Sequence, residues 1–118
     1  MIDGAHVVIY SSDAEADRAF FRDVLQCPNV DAGHGWLIFA LPPAEVAFHP
    51  AEGDAAHELY LMCDDLTATM AELSERKVEF SQPVTRERWG VRTAVRLPGG
   101  GEVGLYEPLH PRATPATA

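Results

Sequence analysis

The chain has 118 residues, 47% of them hydrophobic, so it can bury one core but is too short for a second independent one. Eighteen Asp and Glu against nine Lys and Arg give a formal net charge of −9, which opposes binding to nucleic-acid phosphates or anionic lipids. No apolar run approaches the roughly 20 residues of a membrane span, and no secretion signal is recognised. We therefore expect a cytoplasmic protein that binds neither nucleic acid nor membrane.

The first half predicts a strand, a helix and then a pair of strands. Apolar residues alternate or run together in the strands and recur at helical spacing between them. Asp13 is suited to cap the helix, and Pro28 follows its predicted end. The predicted elements are a strand over residues 2–10, a helix over 14–25, and strands over 36–41 and 45–49.

The second half predicts the same order of elements. Its first strand stops at Asp64 and Asp65, and the PGGG turn at residues 98–101 joins two alternating runs into a hairpin. The predicted elements are strands over residues 58–63 and 78–80, a helix over 66–77, and strands over 92–97 and 102–106.

This repetition predicts two βαβββ modules. We expect one domain over residues 1–110, with module one at about 1–53 and module two at about 54–109. A flexible tail is expected over residues 110–118, which contain prolines and small residues. The cysteines Cys27 and Cys63 lack CxxC spacing, and we expect them to be reduced and structural.

The duplication predicts which residues occupy equivalent positions. His6 and Glu58 each lie seven residues before the Asp that caps the next helix. The segments EVAFHP and EVGLYEP end on prolines, and aligning them sets His49 against Glu107. All four side chains can ligate a divalent cation, so a pseudo-two-fold site could hold Zn, Ni, Mn or Fe(II). Packed histidines and solvated glutamates are the alternative.

Four fragments that span most of the chain carry a family resemblance. They are HVVIYSSDAEADRAFFRDVL (residues 6–25), ELYLMCDDLTATMAELSERKVEF (58–80), WGVR (89–92) and LPGGGEVGLYEP (97–108). In order and spacing, they resemble the glyoxalase/bleomycin-resistance/dioxygenase group, known as the vicinal oxygen chelate superfamily. The resemblance implies an α+β fold in which two βαβββ modules form an eight-stranded, cup-shaped mixed sheet with helices outside. It also implies a homodimer.

The resemblance places the metal ligands in the cup at His6, His49, Glu58 and Glu107. The chain departs from common family patterns because the second module opens with Glu58, and His57 stands beside it. If the strand register shifts by one residue, His57 rather than Glu58 faces the cup.

Three functions are compatible with this resemblance. The first is a metal-dependent lyase or isomerase for a small vicinal-oxygen substrate, with Glu107 or Glu58 as general base. The second is a metal-free small-molecule binding or drug-resistance protein that sequesters its ligand. The third is an extradiol-type ring-cleaving dioxygenase, which needs open positions at Fe(II) or Mn(II), and two carboxylate ligands leave fewer of these.

Four further residues are candidates for contact with the small molecule. Arg92 is suited to an anionic group, although an ordinary salt bridge on a strand is the alternative. Trp89, Phe48 and Tyr60 are aromatic side chains that could line the cavity or belong to the core.

Overall fold

Two helices pack on strands in an α+β fold, over the residues that the computed structural model describes: 7, 9, 11–44, 53 and 57–111. In chain order the elements are α1 (Ala14–Ala19) with a following π-helical turn (Phe20–Val24), β1 (Asn29–Asp31), β2 (Leu37–Phe39), β3 (Tyr60–Met62), α2 (Leu66–Glu75), β4 (Thr85–Arg86), β5 (Gly90–Arg96) and β6 (Glu102–Pro108). In this part of the chain, no helix is long and apolar enough to cross a membrane.

Strands β1 and β2 form a small antiparallel hairpin in the first half, with Val30 opposite Ile38. Strand β1 was not predicted, because its three residues are all exposed and carry no alternating apolar pattern. Its turn is stabilised by the Asp31 carboxylate, which accepts a 2.7 Å hydrogen bond from the amide of Gly33. The strand predicted over residues 45–49 lies outside the described residues, as does that over 2–10 apart from Val7 and Ile9.

The second half forms a four-stranded mixed sheet in the order β3-β6-β5-β4. Strand β3 runs parallel to β6, and the other two pairings are antiparallel. The predicted hairpin of β5 and β6 is present, and its turn is closed by a 2.8 Å hydrogen bond from the amide of Leu97 to the carbonyl of Gly101. The strand predicted over residues 78–80 is reduced to one bridge, between Phe80 and Val95.

Both helices begin and end in the same way. Asp13 accepts a hydrogen bond from the amide of Ala16, and Asp65 accepts one from that of Ala68, at 3.1 and 3.0 Å. These carboxylates satisfy amides that have no partner within the helix. Each helix is followed by a residue other than glycine with left-handed φ, namely Gln26 (57°) and Lys77 (65°).

The π-helical turn has a simple geometric reason. From cap to left-handed residue, the first helix (Asp13 to Gln26) has one residue more than the second (Asp65 to Lys77). A π-helical turn accommodates one extra residue without moving either end. Here the turn at Phe20–Val24 absorbs it and keeps Phe20 and Phe21 buried.

A single apolar cluster joins both halves of the chain. It consists of Phe20, Phe21, Leu66, Leu73, Val78, Val95, Leu97, Val103 and Leu105. Polar contacts hold the halves together at its edge. The amide of Gly99 donates to Asp17 at 2.8 Å, and Arg76 donates to the carbonyl of Val24 at 2.6 Å. The first helix is therefore anchored on the hairpin turn and on α2.

Candidate functional site

The four-stranded sheet has two chemically different faces. Alternate residues of a strand point to opposite sides, and residues directly paired across strands share a side. Val95, Val103 and Leu105 pack with α2 in the core. The intervening positions, including Arg92 paired with Tyr106, lie on the face opposite α2. That second face carries the candidate site.

Three aromatic rings meet on this face. Tyr60, Trp89 and Tyr106 contact one another edge to face, with centroids 5.7 Å (Tyr60–Trp89), 5.6 Å (Tyr60–Tyr106) and 5.3 Å (Trp89–Tyr106) apart. Arg92 lies over Trp89, with its guanidinium carbon 5.9 Å from the ring centroid. We call these four residues the aromatic face. Trp89 is 38% exposed, so part of a large ring remains available to a ligand.

Two glycines make room for the two tyrosines. Gly104 is paired with Tyr60 across β3 and β6, and a Cβ added at Gly104 would overlap the Tyr60 ring. A Cβ at Gly90 would lie 2.7 Å from Cδ2 of Tyr106. The tyrosine rings therefore lie directly against the backbone of neighbouring strands, which fixes their positions.

Charged groups surround the aromatic rings. Arg92 pairs with Glu87 at 3.4 Å, and both side chains are more than a third exposed. Burial is the largest cause that raises the pKa of the Tyr60 hydroxyl. A hydrogen bond with Glu58 and the negative charge of Glu58 raise this pKa further, whereas Arg92 lowers it. The structure thus places Glu58 beside Tyr60, and the face offers both an acceptor and a cation.

A cavity of about 440 Å³ opens next to Glu58. His57 and Glu58 both line it, together with Val7, Ile9 and Glu102. Ligand sites in proteins commonly have volumes of about 300–1,000 Å³. Leu59 and Val103 also line it, and both pack with the core on the α2 side of the sheet, so the cavity lies on that side and is separate from the aromatic face.

Glu107 has a structural contact on the other side of the sheet. It alternates with Tyr106 along β6, and its Oε1 accepts a 2.9 Å hydrogen bond from the amide of Leu66, at the start of α2. A carboxylate at a helix N-terminus is stabilised by the unpaired amides and the helix dipole. The expected convergence of Glu58 and Glu107 is therefore not observed: Glu58 adjoins Tyr60, and Glu107 adjoins α2.

The sequence contained a signal for this orientation. Alternate residues of β6 point to the same side of the sheet, so one side carries Val103, Leu105 and Glu107. The other side carries Gly104 and Tyr106. Because Val103 and Leu105 are the apolar pair, parity predicts that Glu107 lies on their side. Tyr106 and Gly104 were missed as site residues, although their parity places them on the opposite face.

Both cysteines are free thiols and are partly buried. Burial raises the pKa of the Cys27 thiol. It is also the largest of the causes that raise the pKa of the Cys63 thiol. Less thiolate is present at neutral pH as a result, and thiolate is the nucleophilic form. This favours the structural interpretation of both residues.

A family profile described as Glyoxalase/Bleomycin resistance protein/Dioxygenase superfamily matches residues 5–105. The chain belongs to this superfamily. Among curated proteins, none matches it.

Several solved structures are similar to this superfamily member. TnmS3, an antibiotic binding protein from Streptomyces sp. CB03234, is 25% identical, with a TM-score of 0.63 over 92% of this chain and 99% of its own. A glyoxalase/bleomycin resistance protein from the same source is 26% identical, with a TM-score of 0.57 over 83% and 94%. Lactoylglutathione lyase from Agrobacterium tumefaciens, 17% identical over 88% and 92%, has a TM-score of 0.54 and shows the shared fold.

The metal site implied by the superfamily resemblance is only partly visible. His6, His49 and the candidate ligand contact Phe48 lie outside the described residues, so their roles stay predictions. Across residues 11–44 and 57–111, with Val7, Ile9 and Gly53, no group of three or more His, Cys, Asp or Glu is placed to hold a metal ion. Glu58 contacts Tyr60 and Glu107 accepts from the amide of Leu66, and their role as metal ligands stays a prediction.

Proposed function

We propose that this superfamily member binds a small molecule with fused or extended rings on the aromatic face and sequesters it without chemical change. The observation that carries the proposal is the contact of Tyr60, Trp89 and Tyr106 on the sheet face opposite α2. Aromatic side chains supply large contact areas at low entropic cost, and their faces and edges suit stacking against planar ligands. The free thiols fit a cytoplasmic location for this function.

Polar groups beside the rings would orient the ligand. Arg92 can donate to an anionic or carbonyl group, while Glu58 can accept from a hydroxyl or amine. The Arg92–Glu87 pair is partly exposed, and such pairs contribute only ~0–1 kcal/mol. A ligand group can therefore replace Glu87 on Arg92 at small cost.

The similarity to TnmS3 supports binding as the function. That protein is described as an antibiotic binding protein, and the similarity spans nearly the whole of both chains. We therefore propose that the ligand belongs to the ring-bearing antibiotics and that sequestration confers resistance.

The metal-dependent lyase or isomerase and the extradiol-type dioxygenase receive less support. Both hypotheses place Glu107 in the cup as a ligand or base, whereas its carboxylate contacts the amide of Leu66. Glu58 remains on the aromatic side as the carboxylate that could accept a proton. The contacts given for the two glutamates are with different residues, so we derive no catalytic step through Zn, Ni, Mn or Fe(II).

Equilibrium dialysis against a panel of antibiotics with fused aromatic rings tests the proposal. At least one antibiotic of the panel is expected to bind with a Kd below about 10 μM. Trp89→Ala should weaken the binding of that antibiotic at least ~10-fold, because a central aromatic contact is lost. Val84→Ala is the control, since Val84 is 51% exposed and lies outside both the aromatic face and the β1–β2 hairpin. Mass spectrometry should recover the ligand intact after incubation with each candidate metal. Metal-dependent conversion of the ligand would refute sequestration.

We also propose that the protein is a homodimer, as the resemblance implies. Exposed apolar side chains are frequent on the β1–β2 hairpin and its flanks, where Val30, Trp36, Ile38 and Leu41 are 37–65% exposed. Val30 and Ile38 are paired across the two strands, and exposed apolar surface commonly marks an interface. Light scattering coupled to size-exclusion chromatography is expected to give twice the 12.9 kDa chain mass. Replacing Val30 and Ile38 with threonine should shift the protein toward monomer, and a wild-type monomer at 100 μM would contradict the proposal.

A further inference from the structure

A second crevice, of about 380 Å³, lies where the end of α2, the π-helical turn and the β5–β6 turn meet. One side of it is apolar and consists of Phe20, Val24, Val78 and Leu97. Its polar residues include three of the nine basic residues of the chain, Arg76, Lys77 and Arg96, against the single carboxylate of Glu79. Basic residues thus outnumber acidic ones among the described residues that line this crevice.

Lys77 lines the crevice from the residue that ends α2. The amide of Lys77 donates to the carbonyl of Ser74, and that of Val78 donates to Leu73, in a Schellman arrangement that ends α2. Lys77 occupies its left-handed position, with φ of 65°. Glycine is preferred there because a Cβ is disfavoured at positive φ. A lysine at this position adopts a strained backbone and directs a cationic side chain to the crevice.

The other two cations differ in how they are held. Arg76 is fixed by hydrogen bonds to the carbonyl of Val24 (2.6 Å) and to Glu72 (3.0 Å). Arg96 pairs with Glu79 at 3.9 Å, and these side chains are 52% and 79% exposed. Solvent screens such a long, exposed pair, so Arg96 can exchange Glu79 for another anion.

We propose that this crevice binds an amphiphilic carboxylate. The apolar chain of the ligand packs on Phe20, Val24 and Leu97, and its carboxylate pairs with Lys77 and Arg96. None of the crevice residues belongs to the aromatic face, so this site is independent of the function proposed above.

Titration of the ¹⁵N-labelled protein with octanoate at low ionic strength tests this site. Octanoate is expected to shift the amide signals of crevice residues with a Kd below ~1 mM, whereas octylammonium and octanol should bind at least fivefold more weakly. Arg96→Gln should weaken octanoate binding about fivefold, because one partly screened ion pair with the carboxylate is lost. Trp89→Ala should leave octanoate binding unchanged.

The two left-handed positions provide a matched comparison. Lys77→Gly and Gln26→Gly each relieve positive φ in a residue with a Cβ, and both should raise the melting temperature by about 3 °C. Of these two variants, only Lys77→Gly should weaken octanoate binding, by about fivefold, because Gln26 does not line the crevice. Lys77→Asn should weaken octanoate binding equally, because asparagine tolerates positive φ but carries no charge. Unchanged affinity in all Lys77 variants, equal binding of octylammonium, or no crevice shifts at 5 mM octanoate would overturn the proposal.

Discussion

Replacing Gly104 with alanine is expected to destabilise the fold by about 1–3 kcal/mol and to displace Tyr60 from the aromatic face. The added Cβ would overlap the Tyr60 ring, including Cγ at 2.9 Å, so the ring cannot escape by moving its far edge alone. Tyr60 would have to change rotamer, which breaks its contacts with Trp89 and Tyr106. Urea denaturation measures the stability loss, and ligand affinity should fall at least ~10-fold.

Two variants isolate the cause. Gly101→Ala, in the turn of the same hairpin, places a Cβ 3.9 Å from Leu97 and should change stability by less than about 0.5 kcal/mol. In a double-mutant cycle, most of the cost of Gly104→Ala should disappear in a Tyr60→Ala background, because the overlapping ring is absent. Additive effects of the two substitutions would show that Gly104 acts through something other than Tyr60.

Replacing Glu107 with alanine is expected to lower the free energy of unfolding by about 1–3 kcal/mol, because the half-buried amide at Leu66 loses its acceptor. Leu66 itself is only 2% exposed, so water does not easily replace the carboxylate. Glu107→Gln keeps an oxygen that can accept this bond and should cost less than half as much. Thermal and urea denaturation measure both changes.

The same pair of variants separates a structural Glu107 from a chemical one. Binding of the aromatic ligand at 10 °C, where both variants are folded, should remain within about twofold of wild type. If Glu107 were the general base or a metal ligand, Glu107→Gln would abolish turnover or metal uptake while leaving stability almost unchanged. That outcome would restore the lyase or isomerase hypothesis.

The order of elements in the second half could be predicted because it rests on local signals. Asp65 caps α2, and the glycine-rich turn joins β5 to β6, as short-range capping and turn rules require. The ends of the elements were predicted less accurately than their order. Strand β6 continues to Pro108, opposite Gly90, whereas the predicted strand ends at Tyr106. A proline can occupy a strand where its missing amide is not needed by a neighbour.

The contact of Glu107 with the start of α2 was not predicted, for a related reason. Aligning the two halves on their terminal prolines compares residue types at strand ends, but the face of a residue depends on parity along the strand. The core-facing parity of Val103 and Leu105 assigns Glu107 to the side of α2.

The aromatic face was predicted only as separate candidates. Tyr60, Trp89 and Arg92 were each named from the sequence, but Tyr60 and Trp89 meet only through the pairing of β3 with β6 and of β6 with β5. Such long-range contacts depend on sheet order, which local patterns do not contain. Tyr106 lies between them and completes the set.

Tryptophan fluorescence of a Trp36→Phe protein tests the central claim most directly, because Trp89 is then the only tryptophan of the chain. Titration with the tightest-binding antibiotic of the panel should change the Trp89 emission saturably, with the same Kd as equilibrium dialysis. Gly104→Ala in this background should weaken that response at least ~10-fold. Binding that leaves the Trp89 emission unchanged, or that survives both Trp89→Ala and Gly104→Ala, would contradict a ligand site on the aromatic face.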